Sequence, residues 1–192
     1  MGKKDKKKKN NSAELEKKYI KLEKEMMKSR QKMLKLNAKL ARMDVDDYTF
    51  KDRDGNDVNL SALFGDKNEL IVIHNMGKSC SYCTMWADGF NGIHPHIEKR
   101  SAFALVSPDA FDVQKAFADE RGWKFRMYSG KDSTFIKDMG YYTEKNGYWP
   151  GASVFHKEDG KITRISKTFF GPGDYFCSVW HFFDMLPKSD TK

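Results

Sequence analysis

Long hydrophobic runs are absent from these 192 residues. Short stretches such as Leu70-Ile71-Val72-Ile73 are typical, and the aromatic segment near Phe182 is broken by His181 and Asp184. A membrane-spanning helix needs about 20 apolar residues, so none is expected. Cysteine is scarce, with three in all, which excludes the disulfide framework of a small secreted domain. The lysine-rich N-terminus is not followed by an apolar segment, so it does not read as a secretory signal. Lys6 leaves the myristoylation pattern after Gly2 incomplete. A cytoplasmic protein is the expectation.

Excess positive charge is also absent from most of the chain. The net charge of +8 divides into 16 Lys and Arg against 5 Asp and Glu over residues 1–42, and 19 against 22 over the remainder. The body is therefore mildly acidic and lacks the basic face that a nucleic-acid-binding fold usually carries. All of the basicity sits in an N-terminal appendage.

What is present falls into four segments. Residues 1–11 hold six lysines among the first nine positions and read as a disordered tail. Asn11 with Glu14 fits a capping box. Leu15, Tyr19, Leu22, Met26, Ser29, Met33, Leu36, Leu40 and Met43 then recur at alternating steps of four and three. That heptad seam predicts an amphipathic helix over 12–42, which either packs on the globular part or forms a homodimer through residues 15–43. Residues 43–187 read as one domain, and residues 188–192 as a disordered C-terminus.

Within the domain, Asp54-Gly55-Asn56 predicts a hairpin between Tyr48-Thr49-Phe50 and Val58-Asn59-Leu60. Strands are expected at Leu70–His74, Ala102–Val106, Phe125–Tyr128, Ala152–His156 and Ile162–Lys167, the last two joined by a turn at Asp159-Gly160. Helices are expected over 84–99, from Pro108 and Asp109 to Arg121, over 133–139, and from Asp174 as a cap through Met185. The alternation implies a mixed sheet covered by helices on both faces, a three-layer α/β/α sandwich.

Cys80-Ser81-Tyr82-Cys83 follows a strand and opens a helix. Unpaired N–H groups and the positive end of the helix dipole favour a thiolate at the first exposed position. Cys80 is thus the expected attacking thiol, and Cys83, one turn later, the resolving one. Other readings stand beside this one. A zinc site would need His94 and His96, whose spacing is unusual for such a site. A peroxidatic cysteine ordinarily has Thr or Ser three residues upstream, where Gly77 stands here. Two half-buried structural thiols are the plainest alternative. Trp86 and Phe90, four apart, fit a core-facing helix stripe, and Asp88 is a candidate acid near the thiols. Cys177, near Trp180 and Phe183, reads as a buried structural thiol.

The string Cys80-Ser-Tyr-Cys83-Thr-Met-Trp86-Ala87-Asp88-Gly89-Phe90 resembles the signature C-x-x-C-[ST]-x-W-A-D-G-F. That signature belongs to a thioredoxin-like family catalogued as domain of unknown function 899. Similar stretches include Gly122-Trp123-Lys-Phe125, Pro150-Gly151-Ala-Ser-Val-Phe155 and Asp184-Met-Leu-Pro187. The resemblance implies a thioredoxin-like sheet and thiol–disulfide oxidoreductase activity, with no bound cofactor beyond a redox-active disulfide. Its partner would be a dithiol or disulfide protein or a small thiol. In thioredoxin-like folds a cis-proline precedes the strand beside the disulfide, the place held here by Pro150. His74 stands where thioredoxin has its buried acid, which suggests a proton relay to Cys83. The loop Met76-Gly-Lys-Ser79 is shorter than the family's, and Tyr82 replaces a smaller residue. The other class of function is a non-catalytic binding module, with residues 3–9 contacting RNA or anionic lipid.

Overall fold

The computed structural model describes residues 3–187. It divides at Leu40/Ala41 into two units. The first is one helix, α1 (Lys3–Leu40). The helix starts at Lys3, within the segment 1–11 that the sequence reads as a disordered tail. Lysine is a good helix former, and extending an existing helix costs far less than nucleating one. Asn11 lies inside α1 and does not cap it. Met1, Gly2 and 188–192 lie outside the described residues. Two i,i+4 pairs, Glu14–Lys18 at 2.8 Å and Lys21–Glu25 at 3.9 Å, lie along the helix.

The second unit is built on an eight-stranded mixed sheet. Its strands are β1 (Met43–Val45), β2 (Thr49–Lys51), β3 (Asp57–Asn59), β4 (Glu69–His74), β5 (Ala102–Ser107), β6 (Met127–Ser129), β9 (Gly151–Glu158) and β10 (Lys161–Phe169). A separate two-stranded ribbon joins β7 (Tyr142–Thr143) to β8 (Gly147–Tyr148). The order in the large sheet is β1-β10-β9-β4-β5-β6-β2-β3. β4, β5 and β6 run parallel, and β9 lies antiparallel to β4. The parallel strands are connected by α2 (Ser81–Ile97) and α3 (Phe111–Arg121), as parallel neighbours require. The chain is completed by α4 (Phe135–Asp138) and α5 (Ser178–Asp184).

Alternation along β4 divides the core. Leu70 and Val72 face one cluster with Phe50, Phe64, Phe135 and Phe155. Ile71 and Ile73 face the other, with Trp86, Phe90, Phe103 and Trp123. With a period of two, His74 falls on the first face and α2 covers the second. The two helical layers expected from the sequence are thus unequal: α2 and α3 on one side, and a 3₁₀ turn (Leu60–Phe64) with α4 on the other.

Both hairpins form. At Asp159-Gly160 both residues have positive φ (50° and 77°), the geometry of a tight two-residue turn between β9 and β10. Three details differ from expectation. Met43, placed at the end of the helical seam, instead opens β1, which pairs with β10. Asp174 does not cap α5; its carboxylate accepts the amides of Gly171, Phe176 and Cys177, and Cys177 takes the cap position. The Trp149–Pro150 bond is trans, with a backbone hydrogen bond on either side of it. Trp149 N–H donates to the Tyr141 carbonyl at 2.8 Å, and Phe170 N–H donates to the Pro150 carbonyl at 2.9 Å.

Candidate active site

The cysteine pair stands at the carboxyl end of β4, after a loop fixed almost atom by atom. Asn75 N–H donates to the Val106 carbonyl at 2.9 Å. The Asn75 side chain then accepts Gly77 N–H at 2.8 Å. Gly77 has φ of +102°, which favours glycine, and its carbonyl accepts Cys80 N–H at 3.2 Å. Asp109, just past the carboxyl end of the parallel strand β5, accepts Lys78 N–H at 2.7 Å. A Cβ at Gly77 would lie 2.8 Å from the Asp109 carboxylate. Asp109 is held in turn by Ser129, whose hydroxyl donates to its carbonyl at 2.6 Å.

Cys80 is the N-cap of α2, and its sulfur accepts Cys83 N–H at 3.1 Å. One of the orphan amides of the helix start is therefore satisfied by a thiol sulfur instead of the usual side-chain oxygen. Cys80 is partly exposed and Cys83 is buried. Burial pushes the Cys83 thiol well above its ordinary range, and its hydrogen bond to Cys80 adds to the effect. The two sulfurs are thus unlike: one open at a helix N-terminus, one enclosed and holding its proton.

The other sequence-derived candidates fall into two groups. Tyr82 and Trp86 stay with the thiols. The Tyr82 ring is 52% exposed and lies 5.5 Å from Trp180 and 6.3 Å from Trp86. Trp86 is buried against Phe170, and its indole N–H has no hydrogen-bond partner. A groove of about 730 Å³ runs from Ser81 and Thr84 along α2, walled opposite by Tyr175, Phe176 and Cys177. Pro150 lies one residue before Gly151, which pairs with His74 at the end of β4. It therefore sits at the same edge as the cysteine loop, with its carbonyl already engaged by Phe170.

Asp88 and His74 have other partners. Asp88 accepts from the Arg121 guanidinium and, at 2.8 Å, from the Trp123 indole, tying α2 to the end of α3. His74 is fully buried on the face opposite α2. Its Nε2 lies 3.0 Å from the Ser153 hydroxyl, and its ring stacks 3.7 Å from Tyr141. Burial, with Arg164 nearby, holds its pKa well below 6.5. The ring expected to relay a proton to Cys83 thus lies on the face of the sheet opposite α2, with Ser153 and Tyr141 as its neighbours. His94 bonds Glu98 near the far end of α2. Among the described residues, no three His, Cys, Asp or Glu side chains converge as metal ligands.

Asp109 was not legible as a site residue, since it lies 31 residues from its partner Lys78 and its sequence suggested only a helix start. Tyr141 was also missed. Its hydroxyl lies within hydrogen-bond distance of the carbonyls of Ala152 and Thr168, at 2.7 and 3.0 Å, bracing the strands behind the site.

This sheet order is that of a thioredoxin-like fold, and the solved structures it resembles are peroxiredoxins. A Xanthomonas campestris peroxiredoxin Q variant superposes with a TM-score of 0.57 at 18% identity, covering 71% of this chain and 89% of that one. The peroxidoxin BcpB of Mycobacterium tuberculosis gives 0.55 at 20% identity, covering 67% and 84%. In sequence, Peroxiredoxin bcp1 of Schizosaccharomyces pombe is 28% identical over 125 residues, 61% of this chain. The match spans 60% of that relative's length. Residues 3–191 match the family described as "Bacterial protein of unknown function (DUF899)", and the chain belongs to that family.

None of the helices among the described residues is long and apolar enough to cross a membrane.

Proposed function

We propose that this protein is a thiol-based oxidoreductase in which Cys80 attacks and Cys83 resolves. The observation that carries the reading is the asymmetry of the pair. Cys80 sulfur caps α2 and accepts the Cys83 amide, while the Cys83 thiol is buried directly behind it. Helix-end amides stabilise negative charge on the first sulfur, and the second keeps its proton until a mixed disulfide forms.

On a disulfide substrate, Cys80 thiolate bonds to one sulfur and expels the other as a thiolate, which takes up a proton. Cys83 then loses its proton and attacks Cys80, forming the Cys80–Cys83 disulfide and releasing the second substrate thiol. Two electrons pass from the pair to the substrate, and an external dithiol returns them. Nothing in this sequence needs a bound cofactor. Tyr82 and the groove beside Ser81 and Thr84 offer the substrate an apolar flank.

The similarity to a protein named Peroxiredoxin bcp1 favours a second substrate class, a hydroperoxide. Cys80 would then take one oxygen as a sulfenic acid, releasing an alcohol or water, and condensation with Cys83 would release water. Gly77, in place of the hydroxyl side chain expected three residues before a peroxidatic cysteine, weighs toward the disulfide. Parallel assays with a protein disulfide and with hydrogen peroxide separate the two, using Cys80→Ser and Cys83→Ser as controls. Full activity of Cys80→Ser would remove Cys80 as the attacking thiol, and a native protein inactive on both substrates would be a non-catalytic binding fold.

A further inference from the structure

The redox reading leaves α1 unused, yet α1 carries a long row of exposed apolar side chains. Its seam residues from Leu15 to Leu40 (Ser29 apart) are 53–82% exposed. A helix with such a stripe must cover it to gain from it. We infer that α1 pairs with α1 of a second copy as a parallel, in-register, two-stranded coiled coil.

The heptad places Leu15, Leu22, Ser29 and Leu36 at d, with the a positions three residues before or four after each. Leucine at d favours two parallel strands, and one polar core position helps fix register. The seam spans 26 residues, about 39 Å of helix. Ile20, Met27 and Leu34 form a second row at b, outside the contact.

The flanking charges choose the orientation. In a parallel pair each g residue meets the e residue five positions later on the other strand. Lys18 then meets Glu23 of the second copy, and Glu25 meets Arg30. Each pair occurs twice, and no like-charge pair arises at e and g. Lys18 and Glu25 side chains are exposed and free to reach across from their intrahelical pairs. In an antiparallel pair centred on the same seam, Glu23 would meet Arg30 and Glu25 would meet Lys32, but Lys18 would face Lys39. That repulsion, again twice, disfavours the antiparallel form.

Each α1 is itself strongly positive, so the two strands repel overall. Association should therefore tighten as salt rises from about 20 to about 150 mM, as screening removes the net repulsion. Docking of the same lysines on RNA or anionic lipid would loosen instead.

Sedimentation equilibrium of the full chain tests the inference. A species of twice the 22.3 kDa chain mass is expected in the tens of micromolar, the range of a seam under four heptads long. Leu22→Asp should leave only monomer. Lys18→Glu should weaken the dimer roughly tenfold, since two attractive pairs become repulsive, and Lys18→Glu with Glu23→Lys should restore it to within about threefold. Monomer at every concentration, a dimer unaffected by Leu22→Asp, or a mass above two chains would overturn the coiled coil. Lys18→Glu tightening the dimer, or failure of the paired reversal to restore it, would overturn the parallel register.

Discussion

The Asp109 carboxylate accepts the Lys78 amide at 2.7 Å, and the same carboxylate leaves no room for a side chain at Gly77. Two residues 31 apart in sequence thereby set the loop that delivers Cys80 to the end of α2. Asp109→Ala removes the acceptor and should lower kcat/KM for disulfide reduction about tenfold, as one misplaced positioning contact commonly does. Asp109→Asn keeps an acceptor oxygen and should stay within about threefold. Gly77→Ala combines a steric clash with a left-handed φ and should cost about 1–3 kcal/mol of stability, read by thermal unfolding.

The unlike cysteines give a labelling signature. At neutral pH, iodoacetamide should modify one thiol per chain quickly, and Cys80→Ser should abolish that fast phase. Cys83, raised by burial, and buried Cys177 should label only when the chain unfolds. Fast labelling of Cys83 in the folded protein, read by peptide mass, would reverse the assigned roles.

His74 makes stability pH-dependent. Its folded pKa lies well below the unfolded value near 6.5, so the unfolded chain binds a proton that the folded one refuses. Its contribution is fully present above about 6.5 and is lost as pH falls below it. The slope is about 1.4 kcal/mol per pH unit for one proton. His74→Gln should flatten urea midpoints measured between pH 6.5 and 5, while leaving the activity profile unchanged if the ring has no relay role.

Asp88 should behave as a tie between helices. The Arg121 pair is half-exposed and contributes little. Leaving the buried Trp123 N–H without an acceptor costs about 1–3 kcal/mol. Asp88→Ala should therefore lower stability by about 1–3 kcal/mol, with kcat/KM of the folded protein within about twofold. A loss of activity without a loss of stability would return Asp88 to the thiols.

Most of the long strands, both hairpins and the Cys80–Cys83 placement could be read from the chain because local rules decide them. Alternation marks β4, positive-φ residues mark Asp159-Gly160, and a helix start marks Cys80. What could not be read arises from distant partners. β1 exists only because β10 offers it an edge, and Asp109 matters only because Lys78 arrives beside it. The side of the sheet that His74 faces depends on a strand phase set by the whole core.

The central claim is that Cys80 and Cys83 form one reversible two-electron couple. Equilibrating the protein across a series of glutathione redox buffers, trapping free thiols by acid and alkylation, and counting labels by mass measures this directly. A single transition that removes two thiols together, is linked by peptide mapping to Cys80–Cys83, and disappears in Cys83→Ser is the expected result. A pair that keeps both thiols at every potential, or a disulfide that forms instead with Cys177, would contradict it.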